Sequence, residues 1–172
     1  MPDMLAEEAV RECGGLTPDE KLLLLDCRVF YDPQEVDTRG HIGTHKLVLE
    51  RLAQHKQFQP FFAMALDKII AWLAPMYDSE VLHISCFCRS GEKRSVAVAS
   101  ILRWACSATL CMKDTTATKH LCAFDWVKRR NCQGQCPECR EVDRPCHEVV
   151  HKLWSEIGLR KGYCFDEEET EA

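Results

Sequence analysis

The segment of this sequence with the clearest chemical potential is an eight-residue loop, Cys88-Arg89-Ser90-Gly91-Glu92-Lys93-Arg94-Ser95. Backbone amides in a loop that opens a helix favour a bound anion. Gly91 lets the backbone approach a ligand closely, and Arg94 can form a bidentate pair with phosphoryl oxygens. Ser95 can cap the helix or hydrogen-bond Cys88. The spacing therefore predicts a phosphate-binding site to which all eight loop residues are candidate contributors.

A catalytic interpretation of the same loop comes from its Cys-x-x-Gly-x-x-Arg-Ser spacing, which is also that of cysteine-dependent phosphatases. Cys88 faces amides and a guanidinium, so its pKa should be lowered and a thiolate nucleophile is plausible. Arg94 would stabilise the transition state, and Asp26 would act as general acid, with Asp32 and Asp37 as further candidates. Those phosphatases usually place His before the nucleophile, where this chain has Phe87.

A second group of residues points to a metal site. Cys136-Pro137-Glu138-Cys139 forms a C-x-x-C knuckle, which lets two thiolates bind one zinc ion. The candidate ligands are Cys132, Cys136, Cys139, Cys146, His147 and His151. Four ligands from this set would close a tetrahedral shell with no position for water, so we expect structural Zn²⁺. The alternatives are reduced loop cysteines or a redox pair at Cys136 and Cys139.

The elements that must position these residues alternate along the chain. Apolar runs predict buried strands over Lys21–Cys27, Val81–Phe87 and Thr118–Phe124. Helical spacing predicts helices over His45–Lys56, Phe58–Leu73, Ser95–Cys106 and His147–Ile157. We therefore expect an α/β fold: a small, mostly parallel sheet with flanking helices, a strand–loop–helix phosphate loop and a cysteine-rich zinc insert. The expected divisions are residues 1–20 (extension), 21–126 (α/β domain), 127–160 (zinc insert and closing helix) and 161–172 (acidic tail).

Composition limits the classes of partner. The chain has 172 residues, 46% of them hydrophobic, and a formal charge of -5 that its acidic C-terminal residues account for. Bulk charge therefore favours no polyanionic partner. No apolar run approaches the roughly 20 residues of a membrane span, and Met1–Val10 has no signal-peptide pattern. We expect an intracellular, cytoplasmic address and reduced thiols.

Three motifs occur in a recognisable order: Asp26-Cys27-Arg28-Val29-Phe30-Tyr31-Asp32-Pro33, then Arg39 and Gly43, then Cys88–Val96. Over roughly residues 21–124 the chain resembles the C-terminal domain of the RNase adapter protein RapZ family. There, an Asp-x-Arg-Phe-Leu-x-Asn-Pro segment and a Cys-x-Gly-Gly-x-His-Arg-Ser-Val loop surround a phosphosugar, and the domain contacts a small regulatory RNA. The resemblance implies ligand contacts from Asp26, Arg28, Cys88, Arg89, Ser90, Gly91, Lys93, Arg94 and Ser95.

This chain departs from the family pattern at Lys93, where the family has His, at Ser90, which replaces its first Gly, and at Asp32, which replaces its Asn. It also contains no Gly-x-x-x-x-Gly-Lys-Ser/Thr motif of the family's N-terminal P-loop domain, so nucleotide hydrolysis is not expected.

Three functions follow from these patterns. The leading one is a RapZ-type domain that binds a phosphorylated small molecule, with sugar phosphates first. The alternative is the cysteine-dependent phosphatase. The third is an interaction protein whose zinc knuckle and basic patch, Trp126 with Lys128–Arg130, recruit RNA or a protein. A solvated helix face is the preferred interpretation of that patch, so the RNA expectation rests on the resemblance.

Overall fold

The computed structural model describes residues 21–30, 38–73, 81–109, 120 and 131–161. Within these ranges the chain forms two strands, β1 (Lys21–Asp26) and β2 (Leu82–Phe87), and a 3-10 turn over Cys27–Val29. The helices are α1 (Lys46–Ala53), α2 (Phe58–Leu73), α3 (Arg94–Thr109), α4 (Pro137–Arg140) and α5 (Asp143–Lys161). The fold class is therefore mixed α/β, as the sequence predicts. None of the described helices is both long and apolar enough to cross a membrane.

The two strands pair in parallel, with Lys21 opposite Leu82 and Asp26 opposite Phe87. Parallel strands need a crossover connection, and α1 and α2 lie within it. Because the strands are in register to their last residues, both carboxyl ends reach the same edge of the sheet. The 3-10 turn and the Cys88 loop both leave the sheet at that edge, which brings the two sequence segments of the expected site together.

The main hydrophobic core joins the sheet to α1, α2, α3 and α5. Its largest fully buried side chains include Phe30, Phe58 and Phe62. The Phe30 ring lies 5.6 Å from that of Phe58 and 4.9 Å from that of Phe61, so the residue that follows the 3-10 turn is fixed in an aromatic cluster. The edge of the sheet that carries the candidate site is therefore packed against the main hydrophobic core.

The predicted elements match the observed ones with small shifts at their ends. The Phe58–Leu73 helix has its predicted bounds, and the two strands are shorter by one residue each. The final helix begins at Asp143 rather than His147, so it takes in part of the cysteine-rich segment. The third predicted strand, Thr118–Phe124, lies outside the described residues except for His120, which belongs to no helix or strand.

Candidate functional site

The Cys88 loop connects the end of β2 to the start of α3. Gly91 has a positive φ of 65°, a left-handed conformation that glycine adopts without steric cost. This turn reverses the chain, so that the backbone amides of the loop and of the first turn of α3 face inward. Loop and helix N-terminus therefore form the concave, amide-lined arrangement in which anions bind.

The amides of this loop converge on the sulfur of Cys88. The Cys88 Sγ lies 3.2 Å from the Ser95 Oγ, and the backbone N–H groups of Ser95, Gly91 and Ser90 also point to it. Burial alone would raise the pKa of the half-buried Cys88 thiol. The hydrogen bonds from Ser95, Gly91 and Ser90 outweigh burial and hold that pKa below its ordinary value. The loop thus stabilises negative charge at its centre.

Arg94, at the start of α3, links the loop to the other strand. Its side chain is buried, and its Nη1 donates a hydrogen bond of 2.7 Å to the backbone carbonyl of Phe30. Since the Phe30 ring is itself fixed in the aromatic cluster, the guanidinium is held at the carboxyl end of the sheet. Its charge also helps to lower the pKa of Asp26. Arg94 therefore supplies a positioned positive charge beside the amide-lined loop.

Asp26 and Arg28 flank the loop on the β1 side. The Arg28 Nε donates to the Asp26 Oδ1 at 2.7 Å, Arg28 Nη2 pairs with Oδ2, and the Arg28 backbone N–H caps the same carboxylate at 2.9 Å. The hydrogen bond from the Arg28 side chain is the main reason why the pKa of Asp26 lies below its ordinary value. Arg28 also lies over the Phe87 ring, 5.2 Å from its centroid. Asp26 is therefore an ionised acceptor rather than a proton donor.

The remaining predicted loop residues have distinct positions. Arg89 is exposed. The Lys93 Nζ donates to the Thr38 Oγ1 at 3.4 Å, and the Glu92 Oε1 accepts from the Asn131 Nδ2 at 3.3 Å. Lys93 and Glu92 thus tie the loop to chain segments that come before β2 and after α3. The structure places all the predicted loop residues around one edge of the sheet.

A cluster of four potential metal ligands lies beside this loop. His41, Cys132, Cys136 and Cys139 place one ligand atom each within 4.8 Å of one another. The His41 Nδ1 lies 3.4 Å from the Cys136 Sγ and 3.7 Å from the Cys139 Sγ. A tetrahedral zinc ion with bonds of about 2.3 Å holds its sulfur ligands about 3.8 Å apart. The donor set and its spacing therefore fit a four-coordinate metal ion.

Local backbone geometry explains how three cysteines so close in sequence converge. Gln133 and Gly134 have φ values of 51° and 79°, which turn the chain between Cys132 and Cys136. Cys136 then precedes the short helix α4, with Pro137 in its first turn and the Cys139 N–H bonded to the Cys136 carbonyl. This turn-and-helix unit is a knuckle that aims its three sulfur atoms at one point.

The thiols of the knuckle differ in their acidity. Burial acts to raise the pKa of Cys132, but hydrogen bonds led by that from the Gly134 backbone lower it to about 6. Burial and the neighbouring thiols raise the pKa of Cys139 instead. One sulfur of the cluster is thus readily ionised, as a thiolate ligand for a metal must be.

The fourth member of the cluster is His41 and not one of the ligands expected after Cys139. Cys146 is 1% exposed and belongs to the main hydrophobic core, because α5 already begins at Asp143 and turns this side chain inward. His147 and His151 are exposed on α5, where His147 packs edge-on against Trp104 at 5.1 Å. His41 lies 95 residues before Cys136, so local spacing gave no signal for it.

Several predicted functional residues lie outside the described residues. They are Asp32 and Asp37, which were further candidates for a general acid, and the basic patch of Trp126 with Lys128–Arg130. Asp26, the first candidate acid, is described, and its lowered pKa does not suit proton donation near neutral pH. The described part of the site is therefore better equipped to hold an anion than to protonate a leaving group.

Comparison with known proteins identifies the family. A scan against protein-family models matches residues 14–120 to the RapZ C-terminal domain. No curated protein and no solved structure matches the chain significantly. The matched residues make up more than half of the chain and include β1, β2, the Cys88 loop and His41, whereas Cys132, Cys136 and Cys139 follow the match. The chain belongs to the RapZ C-terminal domain family.

Proposed function

We propose that this protein binds a phosphate-containing ligand on the Cys88–Arg94 loop. The observation that carries the proposal is the convergence of the Ser90, Gly91 and Ser95 amides at the N-terminus of α3. Backbone N–H groups in this arrangement hydrogen-bond the oxygens of a phosphoryl group. Arg94 lies beside them and is buried, so solvent screens its positive charge only weakly.

A sugar phosphate is the ligand class that the surroundings of the loop favour. The ionised Asp26 carboxylate has lone pairs beyond those used by Arg28, so it can accept hydrogen bonds from sugar hydroxyls. The Arg28 side chain is partly exposed on the same side, so its positive charge can contact the ligand. A phosphate on the loop would therefore place the rest of a small polar ligand against the carboxyl end of β1.

Ligand-induced thermal stabilisation tests this proposal. We expect inorganic phosphate and hexose 6-phosphates to raise the melting temperature of the protein, the sugar phosphates more strongly, because a ligand that binds only the native state stabilises it. Arg94→Gln should abolish this shift. Arg103→Gln, which removes an exposed arginine from the same helix, should leave it unchanged. Equal shifts in both variants, or none in the natural protein, would reject the proposed site.

For the cluster of His41, Cys132, Cys136 and Cys139 we propose a bound Zn²⁺ with a structural role. Three thiols and one imidazole fill a tetrahedral shell, so no position is left for a reacting water. We expect about one equivalent of zinc in protein purified without chelator. His41→Ala should lower the zinc content and His151→Ala should not. Unchanged zinc in His41→Ala would contradict the assignment.

The lowered pKa of Cys88 favours a second candidate, a cysteine-dependent phosphatase. The Cys88 thiolate would form a bond to phosphorus as the P–O bond of an aryl phosphate breaks, and the aryl oxygen would leave as a phenolate that takes its proton from solvent. Water would then attack phosphorus, releasing inorganic phosphate and the thiolate, which the Ser95 hydroxyl stabilises. Turnover of an aryl phosphate by the natural protein under reducing conditions, lost in Cys88→Ser, would establish this activity. Binding without turnover would leave the ligand-binding function.

RNA binding is a further proposal that depends on the family resemblance alone. We expect any RNA affinity to fall steeply as salt is raised, because lysine and arginine contacts to phosphates release counterions. Filter binding at low and high salt measures this, and the absence of salt-sensitive retention at low salt would reject it.

A further inference from the structure

Residues Thr38–His45 lie between the Cys88 loop and the metal-ligand cluster. On the loop side, the Gly43 N–H donates to the Glu92 carbonyl at 2.8 Å. A Cβ atom at Gly43 would lie 2.1 Å from the Lys93 carbonyl oxygen and 2.5 Å from the Ala97 nitrogen, closer than any side chain permits. The segment is therefore pressed directly against the backbone that forms the loop and the first turn of α3.

The same segment contacts the metal-ligand knuckle on its other side. His41 supplies one ligand atom of the cluster, and the Gly40 carbonyl accepts a hydrogen bond of 2.6 Å from the Cys132 N–H. Only Ile42 separates His41 from Gly43, so a potential metal ligand and the closest contact to the loop are almost adjacent in the chain. Ile42 and Gly43, the two residues that follow His41, are both buried.

Side chains join the two sites as well. Ile42, Val96 and Cys139 form a small buried cluster of their own, apart from the main core, with Cys132 and Cys136 packed against it. Val96 belongs to the first turn of α3, and Cys139 is a member of the metal-ligand cluster. The Asn131–Glu92 hydrogen bond makes a further link. The knuckle and the loop thus share one set of contacts centred on Ile42.

We propose that the His41/Cys132/Cys136/Cys139 centre positions the Cys88–Arg94 loop, so that metal and phosphate-containing ligand bind cooperatively through Thr38–His45. This inference rests on the proposed function. Without metal, the knuckle has few apolar contacts to hold it, because its cluster contains only three buried hydrophobic residues among those described. A metal ion fixes His41 to the knuckle. Gly43 then holds Glu92 and Lys93 in the conformation that presents the loop amides.

The coupling is measured with inorganic phosphate as the probe. Isothermal titration of the zinc-loaded protein and of the chelated protein gives the two dissociation constants, and circular dichroism reports whether the chelated protein stays folded. We expect phosphate to bind at least tenfold more weakly after chelation, and re-addition of zinc to restore its affinity. By thermodynamic linkage, saturating phosphate must tighten zinc binding by the same factor. Equal phosphate affinities in the folded apo and zinc-loaded proteins would overturn the proposal.

A variant that leaves the metal ligands intact tests the role of Thr38–His45. If chelation unfolds the protein, this variant alone decides whether the two sites are coupled. Gly43→Ala should retain one equivalent of zinc and native circular dichroism but lose at least tenfold in phosphate affinity, since its methyl group must push Lys93 away. Thr44→Ala is the matched control: within the described residues its hydroxyl has no hydrogen-bond partner, so phosphate affinity should change less than twofold. Val96→Ala replaces it should the Gly43 variant not accumulate: this change removes the Ile42 contact from the first turn of α3 without a clash and should also weaken phosphate binding, and phosphate binding of natural strength in the zinc-loaded variant would overturn the coupling.

The outcomes separate this inference from the proposed function. Phosphate binding of natural strength in a zinc-loaded Gly43 variant would overturn the coupling and leave phosphate binding established. An equal loss of affinity in Thr44→Ala would also overturn it, because the effect would then reflect general loosening of the segment. Absence of phosphate binding in the zinc-loaded natural protein would reject both.

Discussion

Replacement of Ser95 by Ala removes one of the groups that lower the pKa of Cys88. The Ser95 Oγ lies 3.2 Å from the Cys88 Sγ and donates to it when the sulfur is a thiolate, while the Ser95 backbone N–H remains in the variant. A hydrogen bond to a charged group contributes about 1.5–3 kcal/mol. Since about 1.4 kcal/mol is a factor of ten in an equilibrium constant, Ser95→Ala should raise the pKa of Cys88 and make its thiolate about ten- to a hundredfold less favoured relative to the thiol.

The pH dependence of alkylation measures this shift. Iodoacetamide reacts with thiolates, and mass spectrometry of the peptide that contains Cys88 separates its rate from those of the other cysteines. In the natural protein the rate should rise with a midpoint below the ordinary value of 9.0. Ser100→Ala is the control, because the Ser100 hydroxyl donates to the Val96 carbonyl within α3, and this variant should leave the midpoint unchanged.

Stability should follow the same titration. A thiol whose pKa is lower in the folded state stabilises that state fully above its unfolded pKa, and this contribution disappears as the pH falls through the folded value. Ser95→Ala should therefore cost more stability near pH 9 than near pH 6. A Cys88 midpoint at or above 9.0 in the natural protein, or one that Ser95→Ala does not move, would refute the description of the loop as a site that stabilises negative charge.

Further predictions concern buried residues near the Cys88–Arg94 loop and the metal-ligand cluster. Arg94→Ala should lower the free energy of unfolding by about 1–3 kcal/mol in urea titrations, because it leaves the Phe30 carbonyl without its buried donor; an unchanged value would show that this hydrogen bond contributes nothing. Phe30→Ala should cost about 3–5 kcal/mol in the same assay, since the ring is fully buried; a loss under 1 kcal/mol would contradict the packing. Cys146→Ser should destabilise the core yet leave zinc content unchanged, as metal analysis would show; zinc loss without destabilisation would return Cys146 to the ligand set.

The strand–turn–helix arrangement around Cys88 was predictable from sequence because all its parts are local. A strand, a turn with Gly91 and a helix that starts at Arg94 follow one another without interruption, so spacing alone predicts Cys88 after the strand, Gly91 in the turn and Arg94 near the start of the helix. The side-chain partner of Arg94 is not local. The structure buries Arg94 against the Phe30 carbonyl, a contact between residues 64 positions apart that no local pattern reveals.

The metal-ligand cluster shows where local spacing stops being informative. The C-x-x-C pair and Cys132 were predicted, since their knuckle is formed by neighbouring residues. The choice of the last ligand depends on which distant segment packs on the knuckle. That segment carries His41 because Gly43 permits close approach to α3, whereas Cys146 is drawn into the core by the earlier start of α5. Tertiary packing, and not local spacing, therefore determines that the fourth member of the cluster is His41 and not Cys146, His147 or His151.

Phosphate binding on the Cys88–Arg94 loop is tested most directly by ¹H–¹⁵N correlation NMR, which reports on each backbone amide of the loop. The zinc-loaded protein is titrated with inorganic phosphate and then with a hexose 6-phosphate. We expect saturable shifts that are largest for the N–H groups of Ser90, Gly91 and Ser95, with smaller shifts at Asp26 and Arg28 for the sugar phosphate only. Saturable shifts elsewhere with these three amides unmoved, or no saturable shifts at all, would contradict phosphate binding on the Cys88–Arg94 loop.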